Sequence, residues 1–200
     1  MRAPRLASKH LWFSPMRIES IAIIGATDLG CQFAALALRA GCRTILEDVS
    51  ISVLERAAST LRDLIANSRA AAPSMTAALT LAHSVEDAIR DADLIIEAVA
   101  DELEMKLELF TIFDRFAKPD AIFASTTASL AVDDLAEMTM CPERCIGMQF
   151  VSSEKAEELQ LRPGRATSLE TLESCREVVR RMGLAVMVGL HGEPSSRSGR

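Results

Sequence analysis

A four-residue apolar run, Ile21-Ala22-Ile23-Ile24, stops at Gly25 and leads through Ala26, Thr27 and Asp28 into a stretch of helix formers from Leu29 to Ala40. Gly30 lies inside that stretch and Gly41 ends it. A buried strand, a glycine-bearing turn and a helix in this succession leave few folds open to the chain. A second run, Arg43 to Glu47, closes on Asp48, which lies 18 residues beyond Gly30. This is the layout that a dinucleotide needs. It supplies a tight turn, unpaired N–H groups at a helix start for the pyrophosphate, and an acid for the ribose hydroxyls. The charge of Asp48 favours NAD over NADP, because it repels a 2′-phosphate.

Two residues depart from the layout. Thr27 stands where a second glycine lets backbone approach the pyrophosphate, and its branched side chain crowds that space. Asp28 stands at the helix start, where a carboxylate caps the N–H groups itself and repels a phosphate. The residues alone leave two readings: a weakened dinucleotide site, or a self-capped turn with no cofactor.

The alternation continues along the chain. A long amphipathic helix is expected from Ile51 to about Arg69, a loop over Ala70–Met75, a strand over Ala78–Ala82 and a short helix over Val85–Arg90. Further strands are expected at Leu94–Ala98, Ile122–Ala124, Cys145–Phe150 and Ala185–Val188, with helices at Glu102–Phe116, Val132–Met138 and Leu169–Met182. Strand–helix alternation of this kind predicts an α/β, doubly wound and mostly parallel sheet in a single domain. Ligands of such sheets sit at the carboxyl ends of the strands. Function is therefore expected in the loops after Ile24, Glu47, Ala98, Ala124 and Gln149.

Composition narrows the function. Two hundred residues, 49% hydrophobic and 25% charged, suffice for a core without disulfides or metals and exclude a disordered or fibrous chain. A net charge of −6 and 4% aromatics argue against nucleic acid as a partner. No apolar run approaches a membrane span, so no membrane partner is expected. The five cysteines form no CxxC pair and His10, His83 and His191 are scattered, so no metal site is expected. Free thiols fit a reducing, cytoplasmic location. Residues 1–17 carry Arg2, Arg5, Lys9 and Arg17 without an acid and read as a disordered basic extension. Residues 18–190 read as the folded domain, and the polar residues 191–200 as a disordered tail.

Six segments, in order, resemble one family. They are Ile21–Gly30, Glu47-Asp48-Val49-Ser50, Asp91–Val99, Leu103-Glu-Met-Lys106 with Leu109-Phe110, Pro142–Gly147, and Pro163-Gly164 with Ala166-Thr-Ser168. Over about residues 18–190 they resemble the NAD-binding Rossmann domain of the 3-hydroxyacyl-CoA dehydrogenases. The resemblance implies cofactor contacts at Gly25, Thr27, Leu29, Gly30, Asp48, Val99, Ala100, Asp101, Lys106 and Ser152. Asp101 replaces the family's usual glutamate. It also implies a helical second domain, for dimerisation and part of the acyl-CoA site, which is expected to be absent here. A protein partner, or self-association, would then cover the exposed docking surface.

The catalytic positions that the resemblance implies are changed. The family's general-base histidine matches Gln149, its orienting glutamate Gln160, and its substrate-binding serine Ala128; the Asn-Pro that follows matches Ser152 and Ser153. A carboxamide has no protonation step near neutral pH, so Gln149 cannot take a hydroxyl proton. No catalytic group of the family is expected intact. Four readings follow: a silent member holding NAD or an acyl-CoA fragment; an active or partner-completed dehydrogenase of fatty-acid metabolism; an interaction module that binds no nucleotide; and a truncated product of marginal stability.

Overall fold

In the computed structural model, residues 15–66, 78–152 and 157–189 are described. The expected loop at 70–75 and tail at 191–200 lie outside them, as do residues 1–14 of the expected extension. Met16 is in place, its N–H donating to Ser174 Oγ at 2.9 Å.

The elements run β1 (Ser20–Ile24), α1 (Asp28–Arg39), β2 (Arg43–Glu47), α2 (Ile51–Ala66), β3 (Leu79–Ala82), α3 (Val85–Ile89) and β4 (Leu94–Glu97). They continue as α4 (Leu103–Phe116), β5 (Ile122–Ser125), α5 (Val132–Ala136), a 3₁₀ turn (Pro142–Arg144), β6 (Cys145–Ser152), β7 (Glu157–Pro163), α6 (Leu169–Arg181) and β8 (Ala185–Val188). One sheet takes them in the order β3-β2-β1-β4-β5-β6-β7-β8. Strand order reverses beside β1, which pairs in parallel with both β2 and β4. That reversal makes the crevice above β1 and β4 the expected ligand site.

Period-two alternation splits the core in two. Ile21, Ile23, Ile96, Ala124 and Met148 face α1, α2 and α6 and pack with Phe33, Leu61 and Val178. Ala22, Ile24, Ile95, Phe123 and Cys145 face α3, α4 and α5 and pack with Phe110, Phe113 and Leu135. The short apolar runs are thus strands buried on both faces, as parallel sheets require.

The sequence assigns no strand between Phe150 and Leu169, yet β7 lies there. It runs antiparallel to β6, with Gln149 opposite Gln160 and Gly147 opposite Arg162, and parallel to β8. Alternation along Leu159-Gln160-Leu161-Arg162 is present, but only the two leucines are apolar and Pro163 follows. The polar partners on the other face are what made the segment read as loop.

Helix α1 is held against β1 by the lack of a side chain at Gly30. A Cβ there would lie 2.0 Å from the Gly25 carbonyl oxygen. Gly30→Ala is therefore expected to lower stability by about 1–3 kcal/mol, or to prevent folding. Urea denaturation followed by circular dichroism checks this, and an unchanged midpoint would refute the close packing.

Candidate functional site

The turn after β1 is built by backbone needs. Gly25 has φ +101°, and a Cβ on it would meet Val99 Cγ1 at 3.0 Å and the Ala98 carbonyl group at 3.1 Å. Its N–H donates to the Glu47 carbonyl at 3.0 Å, tying the turn to β2. The cap of α1 is Thr27, not Asp28 as expected. The Thr27 hydroxyl accepts from Gly30 N–H at 3.1 Å and donates to the Ala98 carbonyl at 2.8 Å. A hydroxyl one residue before the first helical residue can reach back to that N–H. Asp28, the first helical residue, is exposed beside the helix start, and Leu29 is half-buried. Asp48 braces the turn from β2: Oδ2 accepts from Ala26 N–H at 3.2 Å and Oδ1 from Ser50 N–H at 2.9 Å.

The loop after β4 rests on a buried ion pair. Glu97 and Lys106 are each 0% exposed, and Lys106 Nζ lies 2.6 Å from Glu97 Oε1. The same oxygen accepts from Val99 N–H at 2.8 Å, and Glu97 Oε2 accepts from the Ser125 hydroxyl at 2.6 Å. Lys106 also donates to the Val99 carbonyl at 3.4 Å and lies 3.7 Å from Asp101. Lys106 therefore faces inward, and it bears on the crevice through the loop Val99-Ala100-Asp101 that it holds. Ala100 and Asp101 are exposed on that loop.

Asp101 in turn orders the loop after β5. Its Oδ2 accepts from the Ser129 hydroxyl at 2.7 Å and from Ser129 N–H at 3.3 Å. Burial alone would raise this carboxyl, but Thr127, Ser129 and the Lys106 charge outweigh it and hold it below the ordinary carboxylate range. Ala128 is exposed between those two hydroxyl residues. Gln149 and Gln160, directly opposite on β6 and β7, share one face of the sheet and are half-buried. Ser152 ends β6; its side chain lies outside the described residues, as does Ser153.

Three features of the site went unread in the sequence. Glu97 and Ser125 complete the buried network; an acid closing an otherwise apolar strand was the signal available for Glu97. Arg162 is buried on the face of the two glutamines, a position that its alternation with Leu161 indicates. Glu47, at the end of β2, is 3% exposed, and among the described residues no group within hydrogen-bonding distance meets its Oε1. Burial, with Asp48 and Glu86 adding to it, pushes this carboxyl up to about 7.

All five cysteines are free and buried. Burial pushes the Cys145 thiol up to about 12, so it is no nucleophile at neutral pH. Among the described residues no cluster of His, Cys, Asp and Glu could hold a metal ion, and no helix is long and apolar enough to cross a membrane.

Residues 20–190 match the family described as 3-hydroxyacyl-CoA dehydrogenase, NAD binding domain. The chain belongs to this family. It is 33% identical over 179 residues to a 3-hydroxybutyryl-CoA dehydrogenase of Bradyrhizobium diazoefficiens, covering 86% of this chain and 61% of that protein. It is 30% identical to a probable 3-hydroxybutyryl-CoA dehydrogenase of Bacillus subtilis, covering 84% and 61%. The chain thus spans about three fifths of the length of these relatives. The crystal structure of 3-hydroxybutyryl-CoA dehydrogenase from Escherichia coli shares the fold, with TM-score 0.82 and 23% identity over 90% of this chain and 39% of that one. The family match and the observed sheet agree with the expected NAD-type Rossmann domain.

Two outcomes test the site's buried charges. Lys106→Met leaves Glu97 buried without its cation and is expected to cost about 3–5 kcal/mol, with Lys106→Met/Glu97→Gln recovering part of the loss. Thermal melts of the single and double variants check this; an undisturbed single variant would refute it.

Glu47 sets a pH dependence of known sign. Its folded carboxyl holds a proton more tightly than the unfolded one, so the stability it adds is full below about pH 4.5 and is lost as pH rises through about 7. Glu47→Gln is expected to flatten urea midpoints between pH 5 and 8, an effect of about 1–3 kcal/mol after solvent screening. Parallel pH profiles of the two proteins would refute it.

Proposed function

We propose that the chain is an NAD-binding member of the family, with weakened affinity for the dinucleotide and without the family's hydride chemistry on 3-hydroxyacyl-CoA. One observation carries the second part. The β6–β7 register sets Gln149 against Gln160, so the two positions that the resemblance gives to a base and its orienting acid face each other as carboxamides. Neither group gains or loses a proton near neutral pH, so a substrate hydroxyl in this place has no acceptor for its proton. Ala128, at the position given to a substrate-binding serine, has no hydroxyl to offer the reacting oxygen.

Support for the first part comes from the turn. Gly25, the start of α1 and Asp48 stand in the arrangement that receives a pyrophosphate and a ribose. Thr27 already uses the Gly30 N–H, which leaves one donor fewer for phosphate. Asp28 places a negative charge at the helix end that otherwise attracts an anion.

Two measurements follow. NADH titration by fluorescence is expected to show saturable binding that Asp28→Asn tightens about 2–5-fold, the helix-end charge being worth about 0.3–1 kcal/mol. Absence of binding would favour the interaction-module reading, and an unmoved Asp28→Asn would refute the charge argument. With acetoacetyl-CoA and NADH, Gln149→His/Gln160→Glu is expected to exceed the parent chain in turnover by about 10²–10⁴-fold. A parent chain that turns over as fast as the double variant would refute the loss of chemistry.

A further inference from the structure

Arg162 is the most unusual group on the face that carries the two glutamines. It lies in β7 opposite Gly147 and is 4% exposed. One of its nitrogens, Nη2, donates to the Thr127 carbonyl. The other two, Nε and Nη1, are buried and meet no hydrogen-bond acceptor among the described residues. The acids nearby are committed elsewhere: Asp101 to Lys106 and the Ser129 hydroxyl, and Asp133 to Arg165. Among the described residues Arg162 has no ion pair. Burial pulls its guanidinium below the ordinary value, and the charge of Asp101 offsets this only in part.

The surroundings are shaped around this group. A Cβ at Gly147 would lie 3.2 Å from Arg162 Nε. A Cβ at Gly189, just past β8, would lie 3.0 Å from Gln160 Nε2. Glycine on both flanks leaves room for the guanidinium and for the carboxamide beside it. Gln160 and Arg162 project from the same face two residues apart, about 7 Å along a strand. Gln149 faces Gln160, and the Thr127 carbonyl that Arg162 meets leads into the exposed pair Ala128 and Ser129. The site therefore grades inward from hydroxyl and methyl groups, through two carboxamides, to a buried cation with open donors.

We propose that Arg162 forms the floor of an anion site bounded by Thr127, Gln149 and Gln160, and that it takes the carboxylate of a short-chain acid. A guanidinium in this setting is costly without a counter-charge, and a ligand carboxylate provides one with charge-assisted hydrogen bonds. The neighbouring carboxamides can donate to a second polar atom of such an acid without exchanging protons with it. A phosphoryl group is disfavoured, because its greater charge and size exceed what one cation on a floor flanked by two glycines can meet. The proposal is independent of nucleotide binding and of turnover.

The test uses the whole chain without nucleotide. Calorimetric titration with acetoacetate and with its neutral methyl ester is expected to show the acid binding at least about tenfold more tightly than the ester. Arg162→Met is expected to lose the acid's advantage and to melt at the same temperature as the parent or higher, since an unpaired buried charge is gone. Acetoacetate should raise the melting temperature of the parent chain and leave that of Arg162→Met unmoved. Acid and ester binding alike, no acid binding at all, or an Arg162→Met protein that keeps the preference would each overturn the proposal. The acid–ester comparison on the parent chain decides the matter even if the variant fails to fold. A failed NADH titration beside a positive acid–ester result would sink only the cofactor reading.

Discussion

The Glu97–Lys106 pair is the interaction on which the crevice depends. It joins the end of β4 to the second turn of α4, and the same carboxylate takes Ser125 from β5 and the backbone N–H of Val99. Four parts of the chain meet at one buried anion. Such a pair adds little net stability against a well-packed apolar substitute, because desolvation opposes the attraction. Its effect is geometric. With both carboxylate oxygens engaged, the loop Val99–Asp101 is tied to the sheet, and Asp101 is placed where it orders Thr127 and Ser129. The loops after β4 and β5 are thus fixed relative to each other through side chains.

Glu47 is the counterpart that lacks this completion. It stands level with Glu97 in the sheet, since both pair with Ile24 of β1 from opposite sides. Both are buried acids closing apolar strands. Glu97 has a cation and two donors; Glu47 has the repulsion of Asp48 and Glu86. The same residue type at the same height therefore does different physical work. One fixes a loop through the cation and donors that meet it, and the other makes the β2 edge of the crevice sensitive to pH.

Much of the fold was legible because parallel strands buried on both faces leave unmixed apolar runs, and Ile21–Ile24, Leu94–Ile96 and Ile122–Ala124 are such runs. Gly25, Gly30 and Asp48 were legible because each answers a local steric or electrostatic demand of one turn. The capping of α1 was misplaced by one residue. A hydroxyl and a carboxylate stand side by side, and the choice between them is made by the Ala98 carbonyl, which is distant in sequence. β7 was hidden because half of its alternation is polar residues that turn inward. The burial of Lys106 was not legible, because it depends on the depth of α4 against the sheet, and no local pattern states that depth.

The polar inward face of β7 bears on more than strand recognition. A site that moves protons needs groups whose charge changes near neutral pH, held close to a group that stabilises the change. Here the facing pair on β6 and β7 is fixed in charge, and so is the cation beneath it. The neighbouring Asp101 is held ionised by hydroxyls and Lys106. The facing carboxamides therefore have no proton to trade in this part of the crevice. An arrangement of fixed donors around a fixed positive charge discriminates ligands by charge and shape. Under the proposed function, the crevice would sort ligands rather than transform them.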